Sequence, residues 1–204
     1  MLLTYNPSVS PFREDYSESR RLHFYDRGEN IPLVVDGVWQ VYRGMAQLSQ
    51  VSESGEEILL GWAHSSHFFG LNLTHLESYH ARALSELYLK WYTIAEVENS
   101  AELTRMMLNQ MIRRQQQTES LLAIAGLRRV EERLQQLLQQ LLQLLKREMG
   151  EPIAQGSRLK IRLTHQNLAN AIGTTRVTVT RLLGEFQRQG AVSSDCDRHL
   201  IIHD

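Results

Sequence analysis

The chain has 204 residues, 42% hydrophobic and 22% charged, enough for two modest packed domains and a connector. Its one cysteine, Cys196, excludes an intrachain disulfide or an iron–sulfur cluster, and no apolar run is long enough to span a bilayer. The formal net charge of −1 is unevenly spread: residues 1–99 carry −6, residues 100–156 carry +2 and residues 157–204 carry +3.

An acidic front half joined to a basic last third suits a sensing domain attached to a nucleic-acid reader. The basic excess is small, so charge alone gives no tight grip on DNA, and pairing two copies would double it. The N-terminus lacks a basic-then-apolar secretory signature, which makes a cytoplasmic location without membrane contact the expectation.

From about Arg21 to Thr93, short β-prone runs alternate with turn residues. The runs are Leu33-Val34-Val35, Val38 to Tyr42, Glu57 to Leu60 and Leu87 to Tyr92, with Asp36-Gly37, Ser54-Gly55 and Gly70 between them. Many short strands at close spacing predict a sandwich or barrel. His64, His67, His75 and His80 fall in this stretch. The pattern His64-Ser-Ser-His67 has no cysteine or carboxylate at ligand spacing, so it predicts surface or loop histidines rather than a zinc or haem site. A metal-binding cupin-type protein or enzyme would need several histidines with a carboxylate. No convincing set exists, so no catalytic or metal residue is assigned and no enzymatic activity is expected.

From Ser100 to Met149 there is no proline, and the one glycine is Gly126. Ser100 or Asn99 can cap a helix whose first turn holds Glu102. Met107, Met111, Arg114, Thr118, Leu121 and Ala125 recur at three- and four-residue spacing, a coiled-coil-like seam that predicts a dimer helix. A cation inside such a seam is costly unless paired, so Arg114 is expected to meet a ligand or Glu119 of a second copy. The other reading is a helix packed on its own β-domain. Gly126 predicts a hinge into a second helix, Leu127 to about Glu148. Leucines 134, 137, 138, 141, 142, 144 and 145 form a broad stripe there, suited to packing on the C-terminal domain. Gly150 to Gly156 reads as a loop, and Leu159 to Leu163 as a short strand.

Leu168, Ala169 and Ile172 then recur at helical spacing behind Thr164, a natural cap, and Gly173 permits the left-handed exit of that short helix. Thr174 or Thr175 can cap the next helix, whose inward face is Val179, Leu182, Leu183 and Phe186. Arg176, Val177, Thr180 and Arg181 are left outward. An arginine donates two parallel hydrogen bonds to guanine O6 and N7, and a valine packs on the thymine methyl. These residues predict a helix-turn-helix, the rival being a hairpin with solvated arginines. Ala191 to Ser193 and Leu200 to Ile202 flank a polar turn, the hairpin wing of a winged helix, with Arg198 and His199 near its phosphate side.

The run from Leu163 to Gly184 resembles the DNA-binding domain of the CRP/FNR transcription regulators, and Arg176-Val-Thr-Val-Thr-Arg181 is most similar to the cyanobacterial NtcA-type branch. Arg27-Gly-Glu29, Val34 to Val38, Ser54 to Ile58 and Phe68-Phe-Gly70 follow the rhythm of that family's sensor domain. The interval from Gly28 to Gly37 looks a few residues shorter, and the N-terminus before Arg20 is brief. The resemblance implies an α+β fold: a double-stranded β-helix (jelly-roll, cyclic-nucleotide-binding-like) sensor at residues 1–98, a dimerisation helix at 99–126 and a winged helix-turn-helix at 127–204. It implies a homodimer on a palindrome of GTA/TAC half-sites, with RNA polymerase as a possible further partner. Arg176, Val177 and Arg181 are the expected base readers. Thr164, His165, Thr174, Thr175, Thr178, Thr180 and Arg188 are the remaining DNA-contact candidates.

The implied effector set is Gly70, Leu71, Arg82, Arg114 and Glu119. Cyclic AMP does not suit it, because Gly70-Leu71-Asn72 lacks the family's carboxylate and Ala83 follows Arg82 where a hydroxyl belongs. A 2-oxoglutarate-like effector matches Arg114 and Glu119, but Glu77 stands where the β-domain arginine is expected, and Arg82 is the substitute on offer. A switch driven by that effector and a constitutive regulator with a degenerate sensor stand level.

Overall fold

A computed structural model describes residues 22–149, 157–159, 161–197 and 199–203. The short N-terminus, the Gly150 to Gly156 loop, the side chains of Leu144 and Leu145 and the expected phosphate contact of Arg198 lie outside the described residues. Among those residues no helix is long and apolar enough to cross a membrane.

Among the described residues, seven strands build the N-terminal jelly-roll: β1 (Leu22–Tyr25), β2 (Gly37–Arg43), β3 (Ala46–Val51), β4 (Glu57–Ala63), β5 (Phe68–Phe69), β6 (Tyr79–Ala83) and β7 (Leu87–Thr93). They form two antiparallel sheets, ordered β1-β7-β2-β5 and β4-β3-β6. Trp39, Val41, Leu48, Phe69, Leu87 and Leu89 fill the space between them. Three of the expected runs fall within β2, β4 and β7. Leu33 to Val35 do not form a strand; they lead into the turn before β2, and Val34 and Val35 are exposed. Their β-branched character is a side-chain preference that no partner strand takes up.

Two short caps start the helical part. Thr93 and Glu96 form a reciprocal capping box at α1 (Ile94–Asn99), and the Ser100 hydroxyl accepts from Leu103 N at the start of α2 (Ala101–Ala125). The stripe expected as a seam is partly taken up within the chain. Leu103, Met106 and Met107 pack against Val38, Phe68, Tyr92 and Val97 of the same chain, and Arg114 and Gln117 turn toward the sandwich. Leu108, Ile112 and Leu122 stay exposed, and with Gln115 and Glu119 they recur at four- and three-residue spacing along the opposite face. The helix is apolar on two sides, and the methionine side serves its own domain.

After Gly126 the chain runs irregularly to α3 (Val130–Met149), which begins three residues later than expected. Leu134, Leu137, Leu138, Leu141 and Leu142 of α3 are buried against α4 (His165–Ile172) and α5 (Arg176–Arg188). A three-stranded sheet, β8 (Ser157–Arg158), β10 (Leu200–Ile202) and β9 (Val192–Ser194), completes the winged domain. The strand expected at Leu159 to Leu163 lies instead at Ser157–Arg158; Leu159 N still donates to the Leu200 carbonyl at 2.8 Å, and Leu159, Ile161 and Leu163 are buried. Met45, Trp62 and Leu84 of the sandwich join this same apolar core.

Candidate nucleic-acid interface

The reading helix is set by local chemistry at both ends of α4. Thr164 caps α4 by accepting from Asn167 N at 3.1 Å, while Asn167 Oδ1 accepts from Thr164 N at 2.9 Å. Gly173 closes the helix in the left-handed region (φ 61°), where a side chain would strain the backbone. Thr175 then caps α5, its hydroxyl accepting from Thr178 N at 3.2 Å. Val179, Leu182, Leu183 and Phe186 are buried, which fixes the rotation of α5 about its axis.

That rotation leaves Arg176, Val177, Thr180 and Arg181 exposed on one face, with Val177 78% exposed. Arg181 Nη1 donates to Glu185 Oε1 at 2.6 Å, and Thr180 Oγ1 donates to the Arg176 carbonyl at 2.9 Å. His165 Nδ1 lies 2.7 Å from Thr180 Oγ1, joining the front of α4 to the middle of α5. Thr174 is half-buried, and the hydroxyls of Thr164, Thr175 and Thr178 are engaged in the caps. Arg188 is exposed at the far end, its Nε donating to the Gly184 carbonyl. Glu185 was not among the expected contact residues, although its place four residues after Arg181 signals an ion pair on a helix.

Among the described residues, the charged groups of the wing pair with one another. Arg158 Nε donates to Asp195 Oδ2 at 2.5 Å, its Nη2 lies 3.6 Å from Asp197 Oδ2, and His199 Nδ1 is 2.8 Å from that Nη2. The His199 backbone N–H, followed by Arg158, holds the Asp195 carboxyl below its ordinary range. The two aspartates and His199 could gather a cation by spacing, yet a guanidinium already occupies their midst.

The expected effector residues separate. Arg114 Nη2 donates to Tyr79 Oη at 3.1 Å and Nη1 to the Phe68 carbonyl at 3.4 Å. Burial pushes the Tyr79 hydroxyl pKa up, and the Arg114 cation works against that shift. Tyr79 faces inward on β6, whereas Arg82 is three residues on, exposed, and donates to Asn30 Oδ1 at 3.1 Å. Strand alternation thus sends Arg82 and Tyr79 to opposite faces, and Arg82 does not join Arg114. Glu119 is exposed and accepts from Gln115 Nε2 on its own helix, while Gly70 and Leu71 lie at the 3-10 turn after β5. A cleft of about 1160 Å³ opens between β4, α2 and α4; among the described residues, Arg114 is the one expected effector residue lining it.

His64 and His67 are not surface residues. Both are buried, with ring centroids 3.6 Å apart, because His67 N donates to the His64 carbonyl and the turn folds inward. His75 and His80 are exposed, as expected.

Residues 132–204 match the Crp-like helix-turn-helix domain. The chain is 34% identical over 191 residues to a global nitrogen regulator of Synechocystis sp., covering 88% of this chain and 83% of that one. It is 33% identical over 175 residues to the regulatory protein CysR of Synechococcus elongatus, covering 84% and 79%. A similar fold occurs in TTHA1359, a CRP/FNR-family transcriptional regulator from Thermus thermophilus, with TM-score 0.69 and 22% identity over 90% of this chain and 93% of that one.

Proposed function

Since the chain belongs to the CRP/FNR family of DNA-binding transcription regulators, we propose that it reads a palindromic duplex as a homodimer through Arg176, Val177 and Arg181. It regulates transcription and is not an enzyme. The observation that carries the assignment of readers is Val177. An aliphatic side chain 78% exposed between two guanidinium groups has no packing reason to be there, whereas Val179, two residues on, is fully buried. A thymine methyl beside a guanine, as in a GTA half-site, is the surface that this face complements.

The open seam of Leu108, Ile112 and Leu122 supports pairing of two α2 helices, with Gln115 and Glu119 as its polar centre. Half-site centres are then about 34–36 Å apart, one turn of duplex. Thr164, His165, Thr174, Thr175, Thr178, Thr180 and Arg188 border the readers and would set their position on the backbone. Contact with RNA polymerase belongs to the same reading.

The test is the affinity of the full chain for a GTA/TAC palindrome and for a scrambled duplex, each across a salt series. Specific reading gives a preference that persists as salt rises. Equal affinity for the two duplexes removes the readers.

A second reading, a constitutive regulator with a degenerate sensor, is favoured by one arrangement. Arg114 is already satisfied by Tyr79 and Phe68, and Arg82 is on the other face of β6. DNA affinity measured with and without 2-oxoglutarate separates it from an effector-driven switch.

A further inference from the structure

Gln47 and Ser49 lie on the outer face of β3, yet they are only 1% and 2% exposed. Buried amides and hydroxyls are costly unless every polar atom is matched. Here the bonds converge on one carboxylate. Glu57 Oε1 accepts from Gln47 Nε2 at 2.9 Å and from Ser49 Oγ at 2.8 Å, and its Oε2 accepts from Asn170 Nδ2 of α4 at 3.0 Å. Gln47 Oε1 in turn accepts from Asn167 Nδ2 at 2.9 Å. The other end of the Asn167 amide forms the cap of α4.

We propose that Glu57, in the sensor sandwich, is a positioning residue for DNA reading: it clamps α4 and thereby fixes the angle of the reading helix in each protomer. The proposal rests on the two-headed reading given above. Asn167 and Asn170 are one turn apart, so attachment at both sets the rotation of α4 as well as its place. Leu168, Ala169 and Ile172 share a core with Val179 and Leu183, so a fixed α4 means a fixed α5. The clamp does not mask the readers, because Arg176, Val177 and Arg181 remain exposed with it closed. It therefore pre-organises the head rather than silencing it. The same strand reaches the central helix, where Trp62 N donates to Gln117 Oε1 of α2 at 2.9 Å. One strand, β4, is thus bonded both to the helix that bears the open seam and to the first helix of the reading head.

Two heads held at set angles engage both half-sites without a further ordering cost; loose heads bear that cost on the second contact. The clamp should therefore matter for a palindrome and not for a lone half-site. Full-length wild type, Glu57→Gln, Asn170→Asp and the double variant are compared on both duplexes at one salt concentration. Each single variant is expected to lose about tenfold on the palindrome, the scale of one charge-assisted hydrogen bond, and to keep its half-site affinity. Glu57→Gln lacks the second acceptor, and Asn170→Asp sets two carboxylates together. In the double variant an amide at 57 donates to a carboxylate at 170, and palindrome affinity recovers. Unchanged or raised palindrome affinity in the single variants overturns the proposal. So does an equal loss on both duplexes, or a double variant that fails to recover. Arg181→Ala serves as the control: it weakens both duplexes if the reading helix is correctly assigned, whatever becomes of the clamp.

Discussion

Arg181 and Glu185 form an ion pair of 2.6 Å across one turn of α5, on the face that also carries Arg176 and Val177. The carboxylate takes Nη1 and leaves the Nε and Nη2 edge of the guanidinium free for guanine O6 and N7. Arg181→Ala should weaken binding to the palindrome by about 1–3 kcal/mol per half-site and relax preference at the guanine. Glu185→Ala should act differently. It removes a negative charge facing phosphates, so affinity for scrambled DNA rises while the ratio of cognate to scrambled falls. Titration of both variants against both duplexes checks the pair.

Val177→Glu exchanges an apolar partner for thymine methyl with a carboxylate that accepts from cytosine N4. The preferred base at that step should change from thymine to cytosine, with discrimination of about 1–3 kcal/mol per pair. Selection from a library randomised at the half-site measures it. Retention of thymine would place Val177 away from the bases.

Gly61 has φ +147°, and a Cβ there would stand 2.4 Å from Gln117 Oε1. Gly61→Ala therefore strains the backbone and displaces the Gln117 amide that accepts from Trp62 N. The expected loss is about 1–3 kcal/mol of stability, read as a lower urea midpoint. Gln117→Ala in the same chain should return part of it by removing the obstructing amide.

His67 is held neutral, its pKa lowered to about 3 mainly by burial, with His64 adding to the shift and the Arg113 and Arg114 cations contributing less. The unfolded residue titrates near 6.5. Between these values the unfolded chain binds a proton that the folded chain refuses. Stability is thus insensitive to this residue above about pH 6.5 and declines as pH falls toward about 3, by up to roughly 1.4 kcal/mol per pH unit. Urea unfolding of wild type and His67→Phe at about pH 7 and about pH 5 should show the smaller drop in the variant.

The winged half of the fold was legible because its signals are local. Thr164, Gly173 and Thr175 mark helix ends by backbone chemistry, and Val179, Leu182, Leu183 and Phe186 mark an inward face by spacing alone. The sandwich was harder. In β3 and β6, Ala-Gln-Leu-Ser-Gln-Val and Tyr-His-Ala-Arg-Ala carry little β preference; they are strands because of their partners, Gln47 beside Arg82 and Leu48 beside Ala81. On α2 both Met107 and Leu108 begin plausible stripes, and only the position of the sandwich decides which one stays open. Arg114 looked costly in a seam between copies, whereas a phenol and a carbonyl of its own domain satisfy it. The Glu57 cluster had no sequence signature, since Gln47, Glu57 and Asn170 are brought together across the whole chain by domain packing.

The wing's internal pairing bears on how the regulator finds its target. With Arg158 committed to Asp195 and Asp197, that guanidinium offers a passing duplex little free charge, and few condensed counterions are expelled through it. Random sequence gains little hold from Arg158, which shortens the share of the search that this contact would spend on the wrong DNA.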